Sequence, residues 1–180
     1  MTRRLTSTLG MLAIAALLGG CASLSEEECR NADWGRLGHQ DGAAGYPESR
    51  LAEHAEACAK IGIRPMGDIW RAGWDRGVLL YCVPSVGWRE GLSGHGYSGV
   101  CRGRNEEAFL QAYRAGAEIH RVQSRIDSTH QELQRLQSQL RSAPNDEARH
   151  RIRHRMRDLD SELGYLRMTL GTLQLHTPRY

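Results

Sequence analysis

The sequence predicts an all-α protein: a small disulfide-stapled helical domain followed by an antiparallel coiled-coil helical hairpin. Three observations predict it. Seam residues recur at alternating spacings of three and four in two runs, Ile119 to Ala143 and Ile152 to Leu173. The cysteines and most of the glycines are confined to the part before that segment. No alternating run of β-branched and aromatic residues marks a strand.

The first element is a leader. Met1-Thr2-Arg3-Arg4 is basic, residues 9 to 18 form an unbroken run of apolar and small side chains, and Gly19-Gly20 precede Cys21. A positive end, a short apolar stretch and small residues at a cut site make a secretory signal peptide over residues 1 to 20. The stretch is too short to span a bilayer, which takes about 20 apolar residues. Leu18-Gly19-Gly20-Cys21 resembles the bacterial lipobox. That resemblance implies cleavage before Cys21 and attachment of fatty acyl chains such as palmitate, with residues 21 to 25 as the lipidated tether. Because Ala22, not aspartate, follows the cysteine, it further implies the outer membrane, with the chain facing the periplasm. Each buried methylene contributes about 0.8 kcal/mol, so two or more acyl chains hold stably.

The chain has 180 residues, 24 basic and 21 acidic, for a formal charge of +3. Loss of Arg3 and Arg4 with the leader lowers that to +1, which gives no reason to expect a nucleic-acid partner. Beyond Cys21 the cysteines are Cys29, Cys58, Cys82 and Cys101, an even number in a chain expected in an oxidising compartment, and two disulfides are expected. Four cysteines allow three pairings, among which sequence alone does not choose. The plainest joins Cys82 to Cys101 around a glycine-rich loop and Cys29 to Cys58. No close CxxC pair supports a four-thiolate zinc site, and no metal or cofactor is expected.

Residues 26 to 118 form the Cys/Gly-rich domain, with a net charge of −3; the remainder to residue 180 carries +4. Within the domain, residues 31 to 45, 48 to 61, 67 to 82 and 105 onward read as helices, and residues 84 to 103 as loop. A weak repeat places an aromatic ahead of glycines at helical spacing: Trp34 with Gly38 and Gly42, Trp70 with Gly73 and Gly77, Trp88 with Gly91, Tyr113 with Gly116. A glycine inside a helix costs about 1 kcal/mol relative to alanine. The expected reason is close approach of helix backbones, an aromatic side chain of a neighbouring segment covering each gap.

The hairpin occupies residues 119 to 175, with residues 176 to 180 as a tail. Ile119, Val122, Ile126, Thr129, Leu133, Leu136, Leu140 and Ala143 form one seam, and Ile152, Met156, Leu159, Leu163, Leu166, Leu170 and Leu173 the other. Pro144 breaks the first helix, and Asn145 or Asp146 can cap the second. Such a seam could also pair with a second copy of the chain.

Within the domain, Ala32-Asp33-Trp34, Gly38-His39-Gln40-Asp41-Gly42, Leu51-Ala52-Glu53-His54, Leu80-Tyr81-Cys82 and Gly94-His95-Gly96-Tyr97-Ser98-Gly99-Val100-Cys101 stand in an order that resembles a family of bacterial lipoproteins catalogued as a domain of unknown function. The resemblance covers about residues 26 to 118, implies an envelope location, and leaves the activity open.

Candidate chemistry is sparse. Gly94, Gly96 and Gly99 match the spacing of a dinucleotide fingerprint without the strand and helix it requires, so a loop is expected. His150 and His154 stand at metal-clamping spacing but outside the seam. Asp41, His39 and Asp75 are the acid/base candidates near the glycines, with no Ser-His-Asp order arguable from spacing. Arg149, Arg151, Arg153, Arg155 and Arg157 cluster beside the hairpin tip, a candidate contact for anions or an acidic partner. The expected role is therefore non-enzymatic, an interaction or scaffolding function in the envelope through the arm, with a protein or the cell wall as partner. The alternative is a small-ligand-binding module or envelope hydrolase using the glycine-rich domain. A pocket gathering Asp41, His39 and Tyr97 would favour that alternative, and an exposed apolar strip on the hairpin the leading reading.

Overall fold

The computed structural model describes residues 23–176, which form seven helices. They are α1 (Glu26–Arg30), α2 (Trp34–Ala43), α3 (Arg50–Ala59), α4 (Gly67–Tyr81), α5 (Pro84–Leu92), α6 (Glu106–Arg141) and α7 (Asp146–His176). Among these residues no strand occurs, and no helix is long and apolar enough to cross a membrane. The expected leader, the expected acylation site Cys21 and residues 177 to 180 lie outside the described residues.

Two helix pairs make the domain, α2 with α4 and α5 with α6. Their contacts explain the helical glycines. A Cβ on Gly38 or Gly42 would fall within 3.0 Å of the α4 carbonyls of Trp70 and Trp74; one on Gly73 or Gly77 would do the same at the α2 carbonyls of Gly35 and His39. Partner numbers rise together along both helices, so α2 and α4 run parallel. The same holds for Gly87 against Phe109, Gly91 against Tyr113 and Gly116 against Trp88. Close approach is therefore the reason for these glycines. The expectation that aromatic side chains cover the gaps is corrected: backbone fills them.

The two pairs are copies of one design. Gly38, Gly42 and Gly45 recur as Gly87, Gly91 and Gly94, each 49 positions on; Trp70, Gly73, Trp74 and Gly77 recur as Phe109, Ala112, Tyr113 and Gly116, each 39 on. Even the exits match. Gly45 (φ 77°) and Gly94 (φ 71°) turn the chain out of α2 and α5 in the left-handed region, where a Cβ would strike the rings of Tyr81 and His120, again a 39-residue step. The first copy houses α3 in its connection, the second only the segment from residue 93 to 105.

Helix α5 corrects the expectation of a loop over residues 84 to 103. Pro84 stands at its first position, where the fixed φ suits a helix and the missing N–H goes unused. Gly87 and Gly91, which read as loop residues, are packing positions instead. Helix α1 has no counterpart among the expected helices; a reciprocal capping box starts it, Ser25 accepting from the Glu28 N–H while the Glu28 carboxylate accepts from the Ser25 N–H.

Disulfides join Cys29 to Cys58, tying α1 to α3, and Cys82 to Cys101, closing the second connection onto the end of α4. In the chain-entropy picture each contributes about 3 kcal/mol. Between the copies sits an aromatic cluster centred on Phe109, fully buried, with its ring 5.2 Å from that of Tyr81 and 5.0 Å from that of Tyr97. Arg104 pairs with Asp75 at 2.8 Å and lies over Trp74.

Helix α6 continues out of the domain, so domain and arm share one unbroken rod of about 54 Å at 1.5 Å per residue. Beyond residue 118 it packs antiparallel against α7, with Leu133, Leu136, Leu159 and Leu163 buried and Ile126, Ile152 and Met156 against them. The predicted seam is thus buried at its middle, and Leu140, Leu166, Leu170 and Leu173 toward its ends are partly buried. At the turn Ala143 is buried, and Asn145 caps α7, its side-chain oxygen accepting from the Ala148 N–H at 2.8 Å.

Candidate functional site

Asp41 leaves α2 on the side facing α3, and its side chain is buried at 9% exposure. One oxygen accepts from the Trp70 indole N–H at 2.9 Å and lies 2.9 Å from Nε2 of His54. His54, on α3 and 1% exposed, has its other ring nitrogen 2.8 Å from the hydroxyl of Ser23. Arg50 stacks over Tyr46, pairs with Glu53, and brings its Nε to 3.9 Å from Asp41. That Nε is buried without a hydrogen-bond partner. A buried carboxylate costs several kcal/mol unless it is compensated. Here Trp70, His54 and Arg50 surround it, making Asp41 the polar knot of the domain.

Ser23, His54 and Asp41 stand in hydroxyl–imidazole–carboxylate order, which no sequence spacing reveals. Two hollows among the described residues are lined by other side chains than Ser23 and His54. One, about 440 Å3, lies between Leu24, Glu27, Glu28, Arg36 and Leu37; the other, about 590 Å3, between Leu51, Ala55, Ala59, Ile63 and Pro65. Both ring nitrogens of His54 are engaged, and the bonds link the segment before α1 to α3, α2 and α4.

The other acid/base candidates are not gathered around Asp41. Asp75 is half-exposed and paired with Arg104. His39 contributes its carbonyl to the contact with Gly77. The Tyr97 hydroxyl donates to Glu106 at 2.9 Å and accepts from the Cys101 N–H, shaping the loop; burial, then that donation, raises its pKa. Gly94, Gly96 and Gly99 lie in turn and loop, as expected, with positive φ at Gly94 and Gly99.

On the arm, His150 and His154 are exposed, and His154 faces Asp158 at 3.1 Å. No group of three or more metal-ligating side chains occurs among the described residues. Arg149 and Arg151 pair along α7 with Asp146 and Glu147. Arg153, Arg155 and Arg157 are exposed and make no ion pair at contact distance among the described residues. On the side of α7 away from the seam, Tyr165, Met168 and Leu175 are 64%, 66% and 85% exposed. Their spacing of three and seven places them on one face, an exposed apolar strip of the kind named above, although the expectations did not assign its residues.

No curated protein and no solved structure matches the chain. Residues 33–118, from the Asp33 cap of α2 to Glu118 on α6, match the family model described as a protein of unknown function, DUF2799, so this segment is a domain of unknown function and the arm lies beyond it.

Proposed function

We propose that the chain is an envelope lipoprotein, held on the outer membrane by acyl chains on Cys21, whose arm serves as an interaction or scaffolding rod. The observation that carries this reading is the exposed line of Tyr165, Met168 and Leu175. Large apolar side chains clustered on one helix face mark contact surfaces, whereas single ones do not. Exposed arginines near the tip add an attraction for acidic or phosphate-bearing partners. The Asp41 carboxylate and the Tyr97 hydroxyl, by contrast, are taken up by neighbouring side chains and backbone, which supports a mounting role over a catalytic one. The partner is a periplasm-facing protein or the cell wall.

The test is photo-crosslinking in cells from positions 165, 168 and 175, with position 138 on α6 as control. Discrete adducts from the first three and none from the control are expected. Equal, diffuse labelling at all four would remove the reading.

A further inference from the structure

We infer that the Ser23–His54 bond is a clasp that seats the membrane tether on the domain, so that the face carrying α1 lies against lipid headgroups in a fixed orientation. This rests on the proposal that Cys21 is acylated. Only Ala22 separates Cys21 from Ser23, and two residues of extended chain reach about 7 Å. Ser23 is no loose end. Its hydroxyl lies 2.8 Å from the ring of His54, which is 1% exposed and fixed in turn by Asp41 and, through it, Trp70. The next residue, Leu24, is buried in the core, and Cys29 bonds α1 covalently to α3. The chain is therefore tied down almost as soon as it leaves the anchor. A tether of this length cannot let the domain tumble, whereas a flexible linker of tens of residues would. The seated face is polar and net acidic, with Glu26, Glu27, Glu28 and Arg30 exposed, so it rests at headgroup depth against the ammonium groups of zwitterionic lipid and does not insert.

The experiment uses the lipidated chain in vesicles of phosphatidylethanolamine and phosphatidylglycerol, with a nitroxide at position 27 or position 145. Collisions with a water-soluble paramagnetic reagent are read at both sites. The label at 27 is expected to be shielded several-fold relative to the label at 145. Inserting six Gly/Ser residues after Ala22 leaves Ser23 seated and should abolish that difference. Ser23→Ala, which keeps the rest of the network, should speed amide exchange at Leu24 and Ser25 by roughly tenfold, the loss of one hydrogen bond. Acylated protein with equal exposure at 27 and 145 would overturn the inference while leaving the anchor intact. Unmodified Cys21 in the mass spectrum of the mature chain would instead remove the anchor, and the orientation with it. Unchanged amide exchange in Ser23→Ala would refute the clasp alone.

Discussion

Gly77 on α4 faces the carbonyl oxygen of His39 on α2 so closely that a Cβ would fall within 3.0 Å of it and of the neighbouring backbone. Backbone on two packed helices cannot move aside as a side-chain tip can. Gly77→Ala should therefore destabilise the domain by about 3 kcal/mol, at the upper end of overpacking costs. At Gly164 and Gly171, on the exposed part of α7, an added Cβ would meet nothing within 4 Å. Alanine there gains helix propensity without a clash, about 1 kcal/mol at each. Urea unfolding of the three variants checks the contrast, and a loss of stability in Gly164→Ala would contradict it.

Asp41→Ala removes the acceptor of two buried donors, Trp70 Nε1 and His54 Nε2, and the carboxylate nearest the unpartnered Arg50 Nε. Leaving donors buried and unsatisfied costs about 1 to 3 kcal/mol per group, so a loss of about 3 kcal/mol is expected. His54→Ala should cost less when Asp41→Ala is already present, because the two act through one bond. Additive losses in that double-mutant cycle would show that the bond is not made.

How much of this is legible in the sequence follows from the geometry each feature obeys. The arm is legible because a heptad is one-dimensional: Leu133, Leu136, Leu159 and Leu163 reach the core by spacing alone. Two disulfides are legible from an even number of cysteines, whereas the choice among three pairings is not: it is the fold that brings Cys29 to Cys58 and Cys82 to Cys101. The Asp41–His54 contact is not legible, since it joins residues 13 positions apart on helices whose relative placement spacing does not set. A signal does exist. His54 lies three residues after Leu51 and four before Cys58, on the inward face of α3. Helix α5 is hidden by the loop propensity of Gly87 and Gly91, although Gly38 and Gly42 repeat the same four-residue step with the same use. Parallel pairing of the helices leaves no local trace.

Burial, with a smaller push from Glu90, raises the Tyr81 hydroxyl to about 12. In the unfolded chain it ionises near 10. Between those pH values the unfolded chain has lost a proton that the folded chain keeps, so stability is whole below pH 10 and falls as pH rises toward 12. The loss attributable to Tyr81 is about 2 kcal/mol. Tyr97, raised in the same direction, adds to the trend. Denaturant midpoints between pH 9 and 11 should decline in the native chain and more shallowly in Tyr81→Phe. Parallel declines would assign the effect to other groups.

The arginines at the tip offer a prediction that separates charge from fold. Arg153 and Arg157 are exposed and unpaired among the described residues, while Arg155 lies near enough to Glu132 to lower its pKa slightly, behind the stronger effect of the bond from Arg135. Replacing all three with glutamine removes three positive charges and no hydrogen bond to the seam, so arm stability should change by less than about 0.5 kcal/mol. Crosslinking at positions 165 and 168 should nevertheless weaken, and what persists should respond less to salt, because screened attraction at about 8 to 10 Å is what the arginines supply. If yield and salt dependence are the same in the triple variant, capture rests on Tyr165, Met168 and Leu175, and the basic cluster is a solvated face.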